Sequence, residues 1–504
     1  MTHQRRFSDA EHASAPYAEA LHAHAQRQPL MFMVPSHSAT PIGLSEDLAE
    51  FVGETALAVD IPQLIDGIDL GTESPFIKAE QLAADAWGAR RTWFLVNGSS
   101  QGNRIAILAA AGLGIGDAVV AQRSAHSSLT DGLIVTGLNP RFITPGIDHR
   151  RGINHGITPA MLRAELERAR AAGIEVCAAY AITPSYFGAV ADVPGLAEIA
   201  HEYGVPLIVD AAWGAHFGFH DALPESPARL GADIVVTSAH KMGGSLGQAA
   251  MIHLGDGPFA ERLEPLLDRA FHLTQTTSAS SLLFGSLDIA RRALVTKPEL
   301  LDLSVSLADR LRAWIRAQDA YSVVSDDFGE FPDIVGTDPL RVSIDVSRLG
   351  LTGYEVRARL AQHDAIFLEI ATSSAVVAFI GPGKPLGIEK LQAALARIAA
   401  DEAVSEDEAT VIPPLPSPGT ARMTPRAAYF AATEIVPAGA AVGRVSADAL
   451  AAYPPGIPNI VPGEVITSET VEFLQAVAAS PIGHVRGALD EWVTEVRVIA
   501  EPGS

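Results

Sequence analysis

The chain has 504 residues with a single cysteine; 48 % of its residues are hydrophobic, 19 % are charged, and its formal net charge is −23. Length predicts two to four domains, with ample apolar material for a large core. The acid excess disfavours nucleic acid and anionic membranes as partners, and a lone Cys177 excludes an intramolecular disulfide framework.

The opening MTHQRRFSDAEHAS has arginines but no apolar segment behind them, so no secretory signal is read there. From about residue 92 to 252, strand-like and helix-like runs alternate. TWFLV (92–96) leads through NGSSQG into RIAILAAAGLG, and GDAVVAQ (116–122) into SAHSSLTDGLIVTG. EVCAAYAI (175–182), where Cys177 reads as a small buried residue, leads through TPSYFG into VPGLAEIAHEYG. VPLIVD (205–210) leads into AAWGAH, and DIVVTS (233–238) into AHKMGG. Apolar runs without alternation predict strands buried on both faces, and the helices between them predict a parallel sheet, hence an α/β fold. The longest apolar run, from Ile105, is broken by glycines and ends at Asp117, too short to cross a bilayer. The chain therefore reads as cytoplasmic.

After about residue 295 the pattern changes. DLSVSLADRLRAWIRAQ predicts an amphipathic helix, LRVSIDVSRLG a strand, and VRARLAQHDAIFLEI a helix followed by a strand, together a smaller α+β domain. DEAVSEDEATVIPPLPSPG (401–419), acidic and then proline-rich, reads as a linker. In the last unit YPPGIPNIVPGE predicts an irregular, proline-stiffened loop. No internal repeat is found.

Ligands of open parallel sheets bind beyond the carboxyl ends of the strands, and Ser99, Ser100, His126, Asp210, His240 and Lys241 all fall there. A lysine at a strand end, with its charge partly desolvated, becomes a nucleophile that forms an imine with the aldehyde of pyridoxal 5'-phosphate (PLP). Taken alone, Lys241 reads as a surface lysine opening a helix. Asp210 is the acceptor that would keep a pyridine nitrogen protonated; alone it reads as a helix cap. The ordered pair, a strand-terminal Asp followed 31 residues on by a strand-terminal Lys, is the far more specific signal. The turn NGSSQGN (97–103) offers free N–H groups and two hydroxyls to a phosphate, and lacks the lysine of a nucleotide-triphosphate loop. His126 either stacks on a ring face or caps the next helix; His37 and His216 are weaker candidates. The sixteen histidines form neither an HExxH pattern nor a set with paired cysteines, so no metal is expected.

These residues resemble the fold-type I, PLP-dependent ornithine/lysine/arginine decarboxylases, in particular the shorter bacterial members. The resemblance runs through FMVPSH, WFLVNGSSQGNRIAIL, AHSSLTDGLIVTG, TPSYFG, LIVDAAWGAHF, TSAHKMGGSLGQAAMIH, QTTSASSLLFGSLDIAR, MTPRAAYFAA and VGRVSADALAAYPPGIPNIVPGEVI. It implies a fold-type I transferase-like large domain with a mostly parallel sheet, a smaller α+β domain and a C-terminal domain of the decarboxylase family. The expected boundaries are an N-terminal arm at 1–45, then 46–295, 296–415 and 416–504.

By motif, the resemblance implies that Lys241 carries the cofactor as an imine and Asp210 pairs with its ring nitrogen. His126 would stack on one ring face, with Ala212 and Trp213 at the other. Ser99, Ser100, Gln101 and Ser238 would hold the phosphate, with His240 beside it. In the family the segment Gln275 to Ser278, including Thr276 and Thr277, reaches a neighbouring subunit's cofactor, which implies a homodimer with shared sites. The larger members carry an N-terminal wing domain that drives decamer formation; only about forty-five residues precede the large domain here, so a dimer or a small multiple of it is expected. Glu369, Glu464 and His37 are candidates to meet the substrate. The chain departs from the family at Pro35-Ser36-His37-Ser38, at Ser127, at Ala279 in QTTSAS, and at Thr372. These departures lie towards the substrate entrance and leave the amino acid open. The expected reaction is decarboxylation of lysine, ornithine or arginine. The alternatives are another PLP reaction, such as transamination or oxidative deamination, or a catalytically inactive regulatory paralogue.

Overall fold

The computed structural model describes residues 6–401, 415–453, 457–481 and 483–501. In chain order its main elements begin with α1 (Pro75–Trp87), β1 (Arg91–Leu95), α2 (Gly98–Gly112), β2 (Ala118–Gln122), α3 (Ser127–Thr136) and β3 (Asn139–Ile143). Next come α4 (Pro159–Ala171), β4 (Val176–Ile182), α5 (Val193–Glu202), β5 (Leu207–Asp210), β6 (Ile234–Thr237), α6 (Ala239–Met242) and β7 (Ala250–Leu254). Then follow α7 (Ala260–Thr274), α8 (Ser281–Thr296), α9 (Glu299–Arg316), β8 (Arg341–Asp345), α10 (Gly353–Asp364), β9 (Ile370–Ala371), β10 (Ala375–Phe379) and α11 (Ile388–Asp401). The chain closes with α12 (Pro425–Tyr429), β11 (Thr433–Pro437), β12 (Leu450–Tyr453), β13 (Ile457–Ile460), α13 (Ser468–Ala479), β14 (His484–Arg486) and β15 (Glu495–Ile499). Two compact units result: one from the chain up to Ala109 with Ile208–Glu299, the other from Ala110–Leu207 with the chain from Leu300 onward.

In the first unit the strands run in the order β1-β7-β6-β5. β5 and β6 are parallel, with Ile208 opposite Ile234 and Asp210 opposite Val236. β7 is antiparallel to both β6 and β1. TWFLV therefore joins the sheet through an antiparallel neighbour, the minority element of a mostly parallel sheet. Helix α1 shows why such segments fold locally: Ser74 Oγ accepts from the Ile77 N–H at 3.3 Å, Pro75 takes the first turn, and Gly88 stops the helix at φ +72°. Residues of the first thirty are part of this core: Tyr17 and Leu21 are buried, and Asp288 Oδ2 accepts from the Tyr17 N–H at 2.9 Å.

In the second unit β4, β2 and β3 are parallel, with Ala118 opposite Asn139 and Val119 opposite Ala178. Every residue of β2 is buried, as its unalternating AVVAQ demands. An antiparallel sheet of β8, β10 and β9 packs with α10 and α11, and β11 pairs with β15, β12 with β13 and β14.

Three local expectations are corrected. AAWGAH forms consecutive turns rather than a helix. IFLEI contributes only the start of the two-residue β9, while the longer β10 follows it. IPNI in the proline-rich segment is strand β13 rather than irregular loop, because its alternate residues Pro458 and Ile460 face the core. Residues 402–414 of the linker reading, and Pro454, Pro455 and Gly456, lie outside the described residues. Mixed but mostly parallel strands flanked by helices make the fold α/β, of the fold-type I kind.

Candidate active site

In the first unit two adjacent strand ends bring the polar residues together. Asp210 closes β5 and is buried; its Oδ2 accepts from the Asn103 amide at 2.9 Å and its Oδ1 from the Ala212 N–H at 3.0 Å. That second bond is an Asx-type turn, so Asp210 caps a turn and not a helix. One strand over, the Ser238 N–H donates to the Ala212 carbonyl at 3.3 Å and the Lys241 N–H to the Ser238 carbonyl at 3.0 Å. Lys241 is half-buried on α6, with its Nζ 4.0 Å from the centre of the Trp213 indole. The indole face favours a cation by about 0.5–2 kcal/mol, so it helps to hold the amine in place. His240 is turned by its Nδ1 towards the Ala249 carbonyl, 2.9 Å away.

Helix α2 begins at the end of β1 with Gly98 at φ +68°, its N–H donating to the Gln248 carbonyl at 2.8 Å. Ser99 and Ser100 stand in its first turn, where backbone N–H groups have no helical acceptor. Gln101 is buried, and its amide reaches Gln275 Oε1 at 2.7 Å, tying the turn to the QTTS segment. At Gly102 a Cβ would lie 2.6 Å from Val236 Cγ1, so the glycine lets α2 lie close against β6. Ser238 Oγ is fully buried and has no hydrogen-bond partner among the described residues. Thr276 and Thr277 lie on an exposed loop between α7 and α8. His37 sits apart from this group, its Nε2 3.2 Å from Asp60 Oδ2.

The other three candidates belong to the second unit. His126 is the N-cap of α3, its Nδ1 accepting from the Ser128 N–H at 3.2 Å. Glu369 is exposed just before β9. Three residues later, Thr372 Oγ1 accepts from the Ala375 and Ser374 N–H groups at 3.1 and 3.3 Å, closing a tight turn. Glu464 is buried, and its Oε2 accepts from Arg123 Nη2 at 2.9 Å and from the Val461 N–H at 3.0 Å. Burial pushes its carboxyl up, against the pull of the Arg123 guanidinium. Its charge is thus already answered within the protein.

Sequence reasoning missed Asn103 and Arg123. Asn103 could have been found: it lies three and four residues after Ser100 and Ser99, hence on the same face of α2. Arg123 meets a carboxylate 341 residues away, which no local signal reveals.

A buried carboxylate and a half-buried amine stand at the ends of neighbouring parallel strands, beside a serine-bearing helix N-terminus. Comparison with known proteins supplies the class. The chain belongs to the Orn/Lys/Arg decarboxylase family and is a decarboxylase: the major domain of that family matches residues 15–330 and its C-terminal domain residues 415–481. An arginine decarboxylase of Bacillus subtilis is 36 % identical over 96 % of this chain and 98 % of its own length. One from Halalkalibacterium halodurans is 33 % identical over 96 % and 98 %. The structure of lysine decarboxylase A from Pseudomonas aeruginosa superposes with a TM-score of 0.81 at 22 % identity, over 97 % of this chain and 81 % of that one.

Proposed function

We propose that this cytoplasmic enzyme removes the α-carboxylate of a basic L-amino acid, arginine before lysine or ornithine, releasing carbon dioxide and the amine. The preference for arginine rests on four arginine decarboxylases above 30 % identity, the two described above among them. The cofactor proposed is PLP, and the residues present fit it. Ser238 Oγ is a buried donor without a partner among the described residues, and the first turn of α2 adds N–H groups and the hydroxyls of Ser99 and Ser100, a set suited to a phosphate. Gln101, the next residue, contributes its N–H to the same turn. Asp210 is an anchored acceptor for a ring N–H, and Lys241 an amine for an aldehyde. When bound, PLP supplies an electron sink for the pair released as the Cα–carboxylate bond breaks.

The protein's part is to position and to move protons. Asp210, fixed by Asn103 and the Ala212 N–H, would keep the proton on the ring nitrogen throughout. His126 would cover one ring face, and Ala212 with Trp213 the other. Lys241 would hold the cofactor's aldehyde carbon and, with His240, return a proton to Cα; one proton is consumed per turnover. Glu369 and His37 remain the residues proposed to meet the substrate's far end.

The enzyme is proposed to work as a homodimer. Phe32, Leu44 and Phe51 are all exposed between residues 32 and 51 of the first unit, apolar side chains that a partner subunit would cover. Thr276 and Thr277, which are exposed, would serve a partner's site. The observation that carries the proposal is the linked group Asn103–Asp210–Ala212–Ser238–Lys241. The test is a panel of amino acids offered to the purified, PLP-loaded protein, with carbon dioxide measured and the product identified by mass. Agmatine from arginine, absent in Lys241→Ala, is expected. A keto acid without amine would overturn the reading in favour of transamination or oxidative deamination, and absence of the cofactor band in favour of an inactive paralogue.

A further inference from the structure

We propose that the C-terminal part of the chain positions His126, gripping the helix that His126 caps through Glu464 on Arg123 at one end and Arg426 at the other. Glu464 is then a positioning residue, not the substrate's partner. The inference rests on the reading of His126 as the residue over the cofactor ring.

All of the contacts lie within the second unit. Arg123 directly follows β2 and is buried; its backbone N–H donates to the Ile143 carbonyl at 2.9 Å, continuing the sheet. Its side chain reaches the C-terminal part of the chain. Nη1 donates to the Pro458 carbonyl and Nη2 to Glu464 Oε2, both at 2.9 Å, and the guanidinium lies 4.9 Å from the centre of the Phe142 ring. A buried ion pair of this kind is poor at adding stability but good at fixing a single arrangement, because any slip leaves a desolvated charge unanswered. From Arg123 to His126 is one tight turn: the Ala125 N–H donates to the Gln122 carbonyl at 3.2 Å and Gln122 Nε2 to Ser124 Oγ at 2.7 Å. Movement at Arg123 is therefore passed to His126 with little slack. The imidazole is held by the Ser128 N–H on Nδ1, which in the neutral ring puts the proton on Nε2.

The far end of α3 is held from the same C-terminal part. Arg426, on α12, donates from Nη1 to the carbonyls of Ile134 and Val135, both at 2.9 Å, two acceptors left over by the helix. The helix stops at Gly137, φ +81°, where a Cβ would come within 3.1 Å of Arg426 Cδ. Two grips, at opposite ends of one ten-residue helix and from residues 38 positions apart, set its axis and its rotation.

The test compares cofactor affinity and the induced circular dichroism of bound PLP across full-length variants. These are Glu464→Gln, Arg426→Ala, His126→Ala and each of the first two combined with His126→Ala. Thr467→Ala, which removes the cap of α13, controls for general loosening of the same unit. Glu464→Gln and Arg426→Ala are each expected to weaken PLP binding roughly three- to tenfold, the range of one aromatic stacking contact, and to change the dichroism as His126→Ala does. Neither is expected to add to His126→Ala, and Thr467→Ala should leave both readouts unchanged. Arg426→Ala keeps the test alive if Glu464→Gln fails to fold. Full additivity with His126→Ala, or a raised KM for the amino acid with an unaltered cofactor signal, would overturn the inference while leaving the function intact. A wild-type protein that binds no PLP would overturn the functional reading itself.

Discussion

Gly102→Ala probes the step from packing to chemistry. The new methyl would sit 2.6 Å from Val236 Cγ1 and 3.2 Å from Leu95 Cδ1, and both neighbours are fully buried. Ordinary carbon contacts lie near 3.5–4.0 Å, so α2 must retreat from β6 by about 1 Å. Overpacking of this size costs about 1–3 kcal/mol, partly offset by the roughly 1 kcal/mol that alanine gains over glycine within a helix. A net loss of about 0–2 kcal/mol follows, a fall of at most a few degrees in a thermal scan run at fixed rate. Because Ser99 and Ser100 ride on the same helix, PLP affinity should fall by about tenfold or more. Val236→Ala removes the clashing methyl. The double variant should therefore be more stable than the two single effects predict, by about 1–3 kcal/mol, and should regain cofactor affinity. Additivity within about 0.5 kcal/mol would refute the argument, since residues that do not touch simply add.

Three further outcomes are expected. Asp210→Asn keeps the acceptor for the Ala212 N–H but loses the charge, so kcat should fall roughly 10²–10³-fold while the cofactor band persists; an unchanged kcat would remove Asp210 from its role. Burial pushes the Glu80 carboxyl up to about 8, with the Phe94 N–H opposing the shift. Since the folded state holds that proton to higher pH than the unfolded chain, this stabilisation is whole below the unfolded value near 4.5 and fades as pH rises towards 8. The melting temperature of Glu80→Gln relative to wild type should thus climb between pH 5 and 8.5, and a flat difference would exclude the mechanism. Sedimentation should show a dimer that Phe51→Glu with Leu44→Glu converts to monomer, with activity lost in parallel.

Strands β1, β2, β4, β5 and β6 were legible because each is a short apolar run without alternation, and their polar ends pointed to the site. NPRFI and AMIHL were not read as strands, and nothing in the five residues of AMIHL says that β7 runs against both of its neighbours. IFLEI read as strand because propensity cannot see that the pairing partner begins only at Ile370. AAWGAH read as helix, but the Asp210 side chain takes up the Ala212 N–H and commits the backbone to a turn. In the site, Asp210 and Lys241 could be found as an ordered pair. The partners that fix them could be found only where helical spacing gave them away, as for Asn103.

The buried carboxylates show why partner sets, rather than residue types, carry the chemistry. With 59 acidic and 36 basic residues, a spare carboxylate near any candidate site is expected and says little. Glu80 has one N–H donor in an apolar setting, so it is held protonated and serves packing. Glu464 has a guanidinium and an N–H, so its charge is used up in holding Arg123. Asp210 accepts from an amide and an N–H, both neutral donors that orient a carboxylate without adding a charge of their own. Such donors suit a group that must answer a positive charge arriving with a ligand. Replacing Asn103 with lysine would set a cation beside that carboxylate. Activity is therefore expected to fall as far as in Asp210→Asn, whereas Asn103→Gln, neutral but longer, should lose less.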